Sequence, residues 1–212
     1  MPGGAGGPGD PPAPADGVAP PRLQPRSSSS PRFKPPSLRY QASFLTALRE
    51  VHAEGRHLEL PAVRLADPAE FARYVEALNA GVSRPGEPGF YLAVLRAEEP
   101  ETWPDGYVPQ TILWWVAGDE YLGRLSIRHR LTPHLLVEGG NIGFEVRPGA
   151  RRRGHATAML AAALPLAASF GVDPARIDCE ADNAASRRVI EANGGVLDGE
   201  RGGTLYFWVP TS

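Results

Sequence analysis

The feature that most constrains the fold is a strand, a glycine turn and a long helix in immediate succession. Residues 142–148 read Ile-Gly-Phe-Glu-Val-Arg-Pro, which predicts a short apolar strand, and residues 151–156 read Arg-Arg-Arg-Gly-His-Ala at the start of an alanine-rich helix. A helix N-terminus leaves several backbone N–H groups without intrahelical partners and carries a partial positive charge. Three arginines and a glycine at this position therefore predict a binding site for a pyrophosphate.

Length, charge and cysteine content restrict the class of protein. A chain of 212 residues is long enough for one domain with a single buried core. The net charge of -2 argues against nucleic acid and anionic membranes as partners, and the single cysteine, Cys179, excludes an intramolecular disulfide. No apolar run reaches the roughly 18–20 residues of a membrane-spanning helix, and the N-terminus lacks the apolar core of a signal peptide. We therefore expect a cytoplasmic protein.

The first residues differ in composition from the rest of the chain. Residues 1–32 are rich in proline, glycine and serine, with an unbroken serine run at residues 27–30. Such a segment buries too little apolar surface to offset its ordering entropy, so we predict a disordered tail. Its serines and arginines could form a regulatory or docking segment, but an extension without a function is the simpler interpretation. The folded domain is expected to span residues 33–212.

The remaining sequence predicts two helices followed by a strand-rich half. Apolar residues at helical spacing predict a helix over residues 41–54, and Asp67-Pro68 predicts the cap and first turn of a second helix, with Glu70 completing a capping box. Residues 81–109 show no clear pattern, and their apolar run from Phe90 fits either a strand or a helix. Periodicity and turn residues then predict strands at 111–116, 121–129, 140–146, 175–180, 196–200 and 204–209, and helices at 156–170 and 183–192. This order predicts one mixed sheet with helices on its faces.

Two motifs at linked positions carry a family resemblance. The pattern Arg-x-x-Gly-x-Ala at residues 151–156, after a strand that ends Val-Arg-Pro at residues 146–148, resembles the acyl-CoA-binding signature of the GNAT N-acetyltransferase superfamily. Residues 182–195 are similar to the next helix in the branch that includes the ribosomal-protein alanine acetyltransferases, and residues 123–129 are similar to an uncharacterised bacterial subgroup. The resemblance covers residues 33–210.

The resemblance implies a fold and a co-substrate. The fold would be α/β (α+β) of the GNAT type, with a mixed, mostly antiparallel central sheet, a splayed pair of strands and helices on both faces. Acetyl-CoA would be the co-substrate, and its pantetheine arm would pair with the open edge of the strand at 142–146 as an added strand does. A backbone N–H of Val146 or its neighbour would polarise the thioester carbonyl. No metal is expected, because the histidines lack metal-ligand spacing.

The residues expected to bind acetyl-CoA lie on the strand, the turn and the next helix. Gly154 lets the backbone approach a pyrophosphate, and the arginines offer charge-assisted donors unless they form only a solvated loop. Asn183 would hydrogen-bond the pantetheine, a role compatible with capping its helix. The complete expected set is Phe144, Val146, Arg151, Arg152, Arg153, Gly154, His155, Ala156, Asn183, Ser186 and Arg187.

Catalytic residues are less clearly indicated. The resemblance places a tyrosine general acid at Ile190, so this role is missing or filled elsewhere, with Tyr206 as one source of a hydroxyl. A base must deprotonate the acceptor amine, whose pKa is near 10.4 for a lysine-like group, and Glu145 and Asp178 are the two candidates. The alternative is that Glu145 pairs with Arg147 and that Asp178 pairs with a surface arginine.

The implied function is transfer of an acetyl group to a primary amine by direct attack in a ternary complex. The acceptor would be a small molecule or a peptide N-terminus, and His129, His134 and Glu138 could line its pocket or be solvated loop residues. The alternatives are a non-catalytic acyl-CoA-binding sensor and a nucleic-acid-binding protein, and the second conflicts with the acidic net charge. A homodimer is compatible with the resemblance, because relatives commonly dimerise.

Overall fold

The computed structural model describes residues 29–80, 82–83 and 108–212 together with Gly3. Its strands are β1 (Arg32–Lys34), β2 (Val82–Ser83), β3 (Val108–Ala117), β4 (Glu120–Arg128), β5 (Ile142–Val146), β6 (Ala175–Glu180), β7 (Val196–Arg201) and β8 (Thr204–Val209). Its helices are α1 (Gln41–Ala53), α2 (Ala62–Leu65), α3 (Pro68–Asn79), α4 (His155–Ser169) and α5 (Ala184–Ala192), with short 3-10 turns at Leu38–Tyr40 and Pro148–Ala150. The helices and strands predicted from residue 41 onward are thereby confirmed within a few residues at their ends.

Two of the sequence predictions fall mainly on residues outside the described part of the chain. The tail predicted at residues 1–32 is described only at Gly3 and from residue 29, and its last residue, Arg32, already belongs to β1. The apolar run from Phe90 also lies outside the described residues.

The larger sheet is antiparallel and has the strand order β1-β3-β4-β5, with the short β2 also paired to β3. β3 and β4 form a hairpin that turns at Gly118, whose φ of +59° is a left-handed conformation that glycine adopts easily. Side chains that oppose each other across neighbouring strands share a face, as Trp114, Arg124 and Glu145 do. This face is covered by α1 and α3, and the opposite face is covered by α4.

The helices α1 and α3 cover the sheet because their apolar residues recur at helical spacing. Phe44 of α1 and Phe71 and Tyr74 of α3 are buried, as their spacing predicts. The Phe44 ring stacks on Trp114 of the sheet with 5.3 Å between ring centroids. An aromatic core therefore fixes the position of α1, whose C-terminal end reaches the functional site.

The start of α3 confirms part of the predicted cap. The Asp67 carboxylate accepts the backbone N–H groups of Ala69 and Glu70 at 2.9 and 3.0 Å. The reciprocal half of the predicted capping box is wrong, because the Glu70 carboxylate pairs with Arg64 at 2.7 Å and with Arg73. The N–H of Asp67 instead donates to the carbonyl oxygen of Arg64 at 3.0 Å.

A second hydrophobic core lies between α4 and the face of the larger sheet that α4 covers. The helix packs closely against this core because it is rich in alanine. Its residues Met159, Leu160 and Ala163 are fully buried, and Cys179 of the neighbouring strand is buried in the same core. Among the described residues, no helix combines the length and the apolar character needed to cross a bilayer.

The smaller sheet is antiparallel with the strand order β6-β8-β7, and it meets the larger sheet where β5 and β6 begin. The N–H of Asn141 donates to the carbonyl oxygen of Arg176 at 2.7 Å, and the Asn141 side-chain oxygen accepts the N–H of Arg176 at 2.8 Å. No strand ladder joins β5 to β6 beyond this contact, so the two strands separate. The expected splayed pair of strands is thereby confirmed, and the sheet that the element order predicted as one is divided at this point into two antiparallel sheets.

Replacing Asn141 by alanine tests the contact that joins the sheets. Asn141 is 3% exposed, and its side chain also donates to the carbonyl oxygen of Arg128 at 3.0 Å. Without it, the buried N–H of Arg176 loses its acceptor, which typically costs ~1–3 kcal/mol. We expect the free energy of unfolding in urea to fall by this amount. The matched control is Asn79→Ala, at an exposed asparagine whose side chain donates one hydrogen bond to the carbonyl oxygen of Pro36 at 3.1 Å. Water can replace this bond, so the control should cost less than ~1 kcal/mol, and equal effects of the two substitutions would contradict this role of Asn141.

Candidate functional site

A large cleft opens where β5 and β6 separate. Its volume is about 1020 Å³, at the upper end of the range for small-molecule sites, ~300–1000 Å³. Its described walls come from β5, the turn before α4, the first residues of α4 and α5, and the chain just after α1. Most residues predicted to bind acetyl-CoA line this cleft, namely Phe144, Val146, Arg151, Arg152, Gly154, His155, Ala156, Asn183 and Ser186.

The outer edge of β5 is open toward this cleft. The N–H of Arg147, just after β5, donates to the carbonyl oxygen of Leu122 in β4 at 2.9 Å. Hydrogen-bonded residues alternate along an antiparallel ladder, so the backbone groups of Phe144 and Val146 point away from β4. The carbonyl oxygen of Val146 accepts from Arg151 Nε at 3.2 Å. The N–H of Val146 and both backbone groups of Phe144 are therefore placed to pair with an extended ligand.

The turn before α4 presents backbone N–H groups to the cleft. Gly154 is the N-cap of α4, has a φ of +78° and offers no side chain to cap the helix. The first N–H groups of α4 thus lack both intrahelical and side-chain partners, which suits an anionic ligand. Arg152 in the same turn also has a positive φ, +62°. Such a conformation is costly for a residue with a side chain and is common at binding sites.

The C-terminal half of α1 anchors this turn through its carboxylates. The Glu50 carboxylate accepts from Arg147 Nε at 3.1 Å and from the N–H of Gly149 at 2.9 Å. The hydrogen bond from Arg147 is the main reason that the pKa of Glu50 is lowered. The alternative pairing of Arg147 with Glu145 is therefore wrong, because Arg147 is nearly buried against Glu50.

Arg151 lines the cleft, but its guanidinium is already engaged. Its two terminal nitrogens contact the carboxylate oxygens of Glu54 at 2.7 and 2.8 Å. Hydrogen bonds from Arg151 and then from Arg56 lower the pKa of Glu54 to about 2. Arg151 therefore holds the turn against the end of α1, and its charge is largely compensated within the protein.

The other predicted arginines differ in their placement. Arg152 lines the cleft, whereas Arg153 and Arg187 are not among the described residues that line it. Arg153 is exposed, and Arg187 pairs with Glu191 at 2.8 Å one turn along α5. Arg188 lines the cleft instead, because consecutive helical residues point about 100° apart. Sequence analysis missed Arg188, since the motif does not show which face of α5 meets the cleft.

The start of α5 confirms the predicted cap. The Asn183 side-chain oxygen accepts the N–H of Ser186 at 3.0 Å. Both residues also line the cleft, so the carboxamide nitrogen of Asn183 is the group that could donate to a ligand. The role of Asn183 and Ser186 in binding acetyl-CoA stays a prediction.

A second cavity of about 280 Å³ lies on the face of the larger sheet that α1 covers. β5 separates this cavity from the cleft, and Phe144 and Glu145 line both. The other described lining residues come from β3, β4, β5 and the chain after α1, and they are His57, Gln110, Ile112, Arg124, Ser126, Arg128 and Gly143. A strand with a cavity on each side can bring two ligands together across its own width.

Glu145 is a carboxylate that the two cavities share. Its oxygens lie 2.5 Å from Arg56 Nη1, 3.1 Å from His57 Nε2 and 3.8 Å from Arg124 Nε. Burial is the largest influence on its pKa and raises it, but the hydrogen bond from His57 and the surrounding positive charges outweigh burial and lower the pKa of Glu145 to about 2. The carboxylate is thus ionised at neutral pH and is a weak proton acceptor.

Sequence analysis missed His57 and Arg56, which reach Glu145 from the loop after α1. His57 has a φ of +53° and lies between two carboxylates, with Nδ1 3.3 Å from Glu59 and Nε2 3.1 Å from Glu145. His57 and Arg152 are the non-glycine residues with positive φ in the described part of the chain, and each lines one of the two cavities. No local motif marks His57, because its partner Glu145 is 88 positions away.

The other predicted catalytic carboxylate, Asp178, is placed elsewhere. Its Oδ2 accepts the N–H of Gly139 at 3.1 Å, and it is not among the described residues that line either cavity. Gly139 and Gly140 both have a positive φ, which is typical of a tight turn. The hydrogen bond from Gly139 means that the Asp178 carboxylate stabilises this turn. The contact supports a structural role, and the catalytic role of Asp178 stays a prediction.

The other positions considered for catalysis or for the acceptor pocket lie away from the two cavities. Ile190 is fully buried, and the Tyr206 hydroxyl donates to a loop carbonyl at 2.8 Å. The His129 ring stacks on a phenylalanine with 4.1 Å between ring centroids. Neither these residues nor His134 and Glu138 are among the described residues that line the two cavities. Within the described ranges, no group of three or more histidine, cysteine or acidic side chains could hold a metal ion.

A comparison with protein-family models matches residues 45–196 to the acetyltransferase (GNAT) domain. Because this match covers most of the chain, the protein belongs to the GNAT acetyltransferase family. It is an acyl-CoA-dependent acetyltransferase, and acetyl-CoA is its co-substrate. No curated protein sequence matches the chain.

Solved structures of acetyltransferases share the fold. The microcin C7 self-immunity acetyltransferase MccE, solved with acetyl-CoA and AMP, is 13% identical, with a TM-score of 0.54 over 87% of this chain and 93% of that one. Mycobacterium smegmatis RimJ, solved with CoA-disulfide, is 19% identical, with a TM-score of 0.53 over 86% of this chain and 82% of that one. RimL, a ribosomal L7/L12 α-N-protein acetyltransferase, is 17% identical, with a TM-score of 0.52 over 86% and 91%.

The low pKa of Glu145 predicts how stability depends on pH. The carboxyl group titrates near 4.5 in the unfolded chain and at about 2 in the folded protein. Its stabilising contribution is therefore complete above the unfolded pKa and is lost as the pH falls through the folded one. This contribution is at most ~3 kcal/mol. We expect Glu145→Gln to lower the free energy of unfolding at neutral pH, and the gap from wild type to close between about pH 4.5 and 2.

Urea titrations at a series of pH values measure this gap. The matched control is Glu76→Gln, at an exposed position of α3, which should leave the stability close to that of wild type throughout. A gap between wild type and Glu145→Gln that stays constant down to acidic pH would contradict the ionised, stabilising state of Glu145.

Proposed function

We propose that the protein transfers the acetyl group of acetyl-CoA to a primary amine by direct attack within a ternary complex. The observation that carries this proposal is the position of β5 between two cavities, with Phe144 and Glu145 lining both. The large cleft would take the acyl donor, and the smaller cavity would take the acceptor. The two reacting groups would then meet at β5.

The lining of the cleft fits acetyl-CoA. Arg152 and the uncapped N-terminus of α4 suit a pyrophosphate. The outward backbone groups of Phe144 and Val146, together with the carboxamide of Asn183, suit the amide groups of an extended pantetheine. The N–H of Val146 is the donor that we propose for the thioester carbonyl. Acetyl-CoA, when bound, supplies an activated acyl group and a thiol leaving group.

The acceptor must lose a proton, because only a neutral amine is nucleophilic and a lysine-like amine has a pKa near 10.4. The amine nitrogen forms a bond to the acyl carbon as the C–S bond breaks. Since the pKa of Glu145 is about 2, we propose that Glu145 holds the incoming ammonium by its charge. The proton would then leave through water or through the adjacent imidazole of His57.

The departing thiolate has no tyrosine beside it among the described residues that line the cleft. A thiol with a pKa of about 8.5 is a tolerable leaving group without assistance. We therefore propose that this enzyme releases the thiolate without a tyrosine general acid. The acceptor is a small molecule or a peptide N-terminus in this proposal, and a homodimeric assembly and a cytoplasmic location stay predictions.

Charge reversal within the arginine triplet tests where the pyrophosphate binds. Arg152 lines the cleft and the neighbouring Arg153 does not. We expect Arg152→Glu to weaken the binding of acetyl-CoA at least ~10-fold in isothermal titration calorimetry, because an attractive charge at the anion becomes a repulsive one. The matched control, Arg153→Glu, should change the affinity less than ~3-fold. Equal affinities of both variants and wild type would show that the pyrophosphate does not bind at this turn.

The roles of the two candidate carboxylates can be separated by amide substitutions. Glu145 lines both cavities, whereas Asp178 holds a loop. We expect Glu145→Gln to reduce kcat/KM on the order of 100-fold, and Asp178→Asn to stay within ~3-fold of wild type. Release of free thiol measures turnover, and acetyl-CoA binding verifies that each variant is folded. The opposite order of effects would assign catalysis to Asp178.

A further inference from the structure

The second cavity carries a positive charge that the described residues do not balance. Arg124 and Arg128 both line it, and Glu145 is the acidic residue among its described lining. The Glu145 carboxylate already has Arg56, His57 and Arg124 within 4 Å. Within the described lining the arginines thus outnumber the carboxylate by one, and the acidic group that acts on Arg128 is Asp178, which lies outside this lining.

Arg128 has no ion-pair partner among the residues that the structure describes. Its Nη1 donates to the carbonyl oxygens of Gly139 and Gly140 at 2.6 and 3.2 Å, and its buried Nε has no hydrogen-bond partner. Burial lowers the pKa of Arg128, which reflects the cost of removing its charge from water, and the opposing charge of Asp178 does not fully offset this effect. A buried cation of this kind is costly unless an anion pairs with it. A ligand with an anionic group would offset that cost.

The charged side chains that line the second cavity follow one another along the direction of β4. Arg124, Ser126 and Arg128 alternate along β4 and so face the same side. Arg124 lies directly opposite Glu145 of β5. At ~3.4 Å per residue, the backbone of Arg128 lies about 14 Å along the strand from this pair. The cavity thus has a carboxylate at one end and a guanidinium at the other.

We propose that the acceptor is a small primary amine that also carries an anionic group, a carboxylate or a phosphate. Glu145 binds the ammonium end next to β5, and Arg128 binds the anionic end. The inference rests on the proposed function, because it takes the second cavity as the acceptor site. The volume of about 280 Å³ limits the bound part to a small molecule or one terminal residue. Diamines and polyamines are rejected, because they would place a second positive charge beside Arg128.

The test compares acceptors that differ in one group. 4-Aminobutyl phosphate is compared with 4-aminobutanol, and 6-aminohexanoate with 6-aminohexanamide, because these chains are long enough to reach from Glu145 toward Arg128, while putrescine serves as the dication. Thiol release from acetyl-CoA gives kcat/KM for each amine. We expect at least one anionic acceptor to exceed its neutral partner ~10-fold or more, and putrescine to be the poorest acceptor. The phosphate and carboxylate pairs together show which anion the cavity prefers.

Substitutions on β4 then locate the anion. Arg128→Gln should abolish the preference for the anionic acceptor, so that the ratio of kcat/KM between the anionic and neutral members of a pair falls to about 1. Ser126→Asp places a negative charge in the same cavity and should reverse the preference, whereas the matched Ser126→Asn should keep it. The affinity for acetyl-CoA, which would bind in the cleft across β5 from these substitutions, verifies that each variant is folded. If Arg128→Gln does not fold, the comparison of Ser126→Asp with Ser126→Asn decides whether the anion binds in this cavity.

Each outcome bears on the proposal. Equal turnover of the anionic and neutral members of both pairs would overturn the inference and leave acetyl transfer to amines intact. An anionic preference that survives both Arg128→Gln and Ser126→Asp would show that the anion does not bind at Arg128, which also overturns it. If acetyl-CoA binds and neither the amines of the set nor a peptide with a free N-terminus is acetylated, the proposed function fails and the inference fails with it, whereas acetylation of the peptide alone overturns only the inference.

Discussion

The functional site depends on the point at which strand pairing stops between β5 and β6. Asn141 and Arg176 join the two sheets by two hydrogen bonds, and no ladder continues beyond them. Backbone polar groups must find partners when they are buried, so the open edge of β5 is tolerated because it lines a cleft. The same separation exposes the N-termini of α4 and α5 to that cleft. One interrupted ladder therefore creates both the space and the polar groups for an extended ligand.

Ion pairs from the last turn of α1 and from the residues just after it fix β5 and the turn that follows β5. Glu50 binds the buried Arg147, and Glu54 binds Arg151, so that the turn before α4 is tied to a helix far away in sequence. Arg56 and His57, which follow the helix, surround Glu145 with donors and keep it ionised. These pairs lie partly out of water, where charges interact more strongly than at the surface. The result is a charged wall between the two cavities.

Local patterns predicted the elements correctly, and most of the residues predicted to bind acetyl-CoA line one cleft. The alternation in β3 and β4 and the apolar spacing in α1 and α3 come from contacts between near neighbours, which a single sequence displays. The capping box at Glu70 failed because Arg64 and Arg73 compete for the same carboxylate. The choice of Arg187 or Arg188 could not be made from the motif, because it depends on the rotation of α5 against the cleft.

The sequence by itself determined the fold class and the glycine turn before α4, because a strand, a glycine with left-handed backbone and a helix N-terminus are all set by local chain geometry. Only the tertiary structure decided which charges meet. His57 approaches Glu145 across 88 positions, and Arg128 joins the same cavity through the register of β4. Such contacts depend on the packing of distant segments. The second cavity, and with it the inferred chemistry of the acceptor, could therefore be found only in the folded chain.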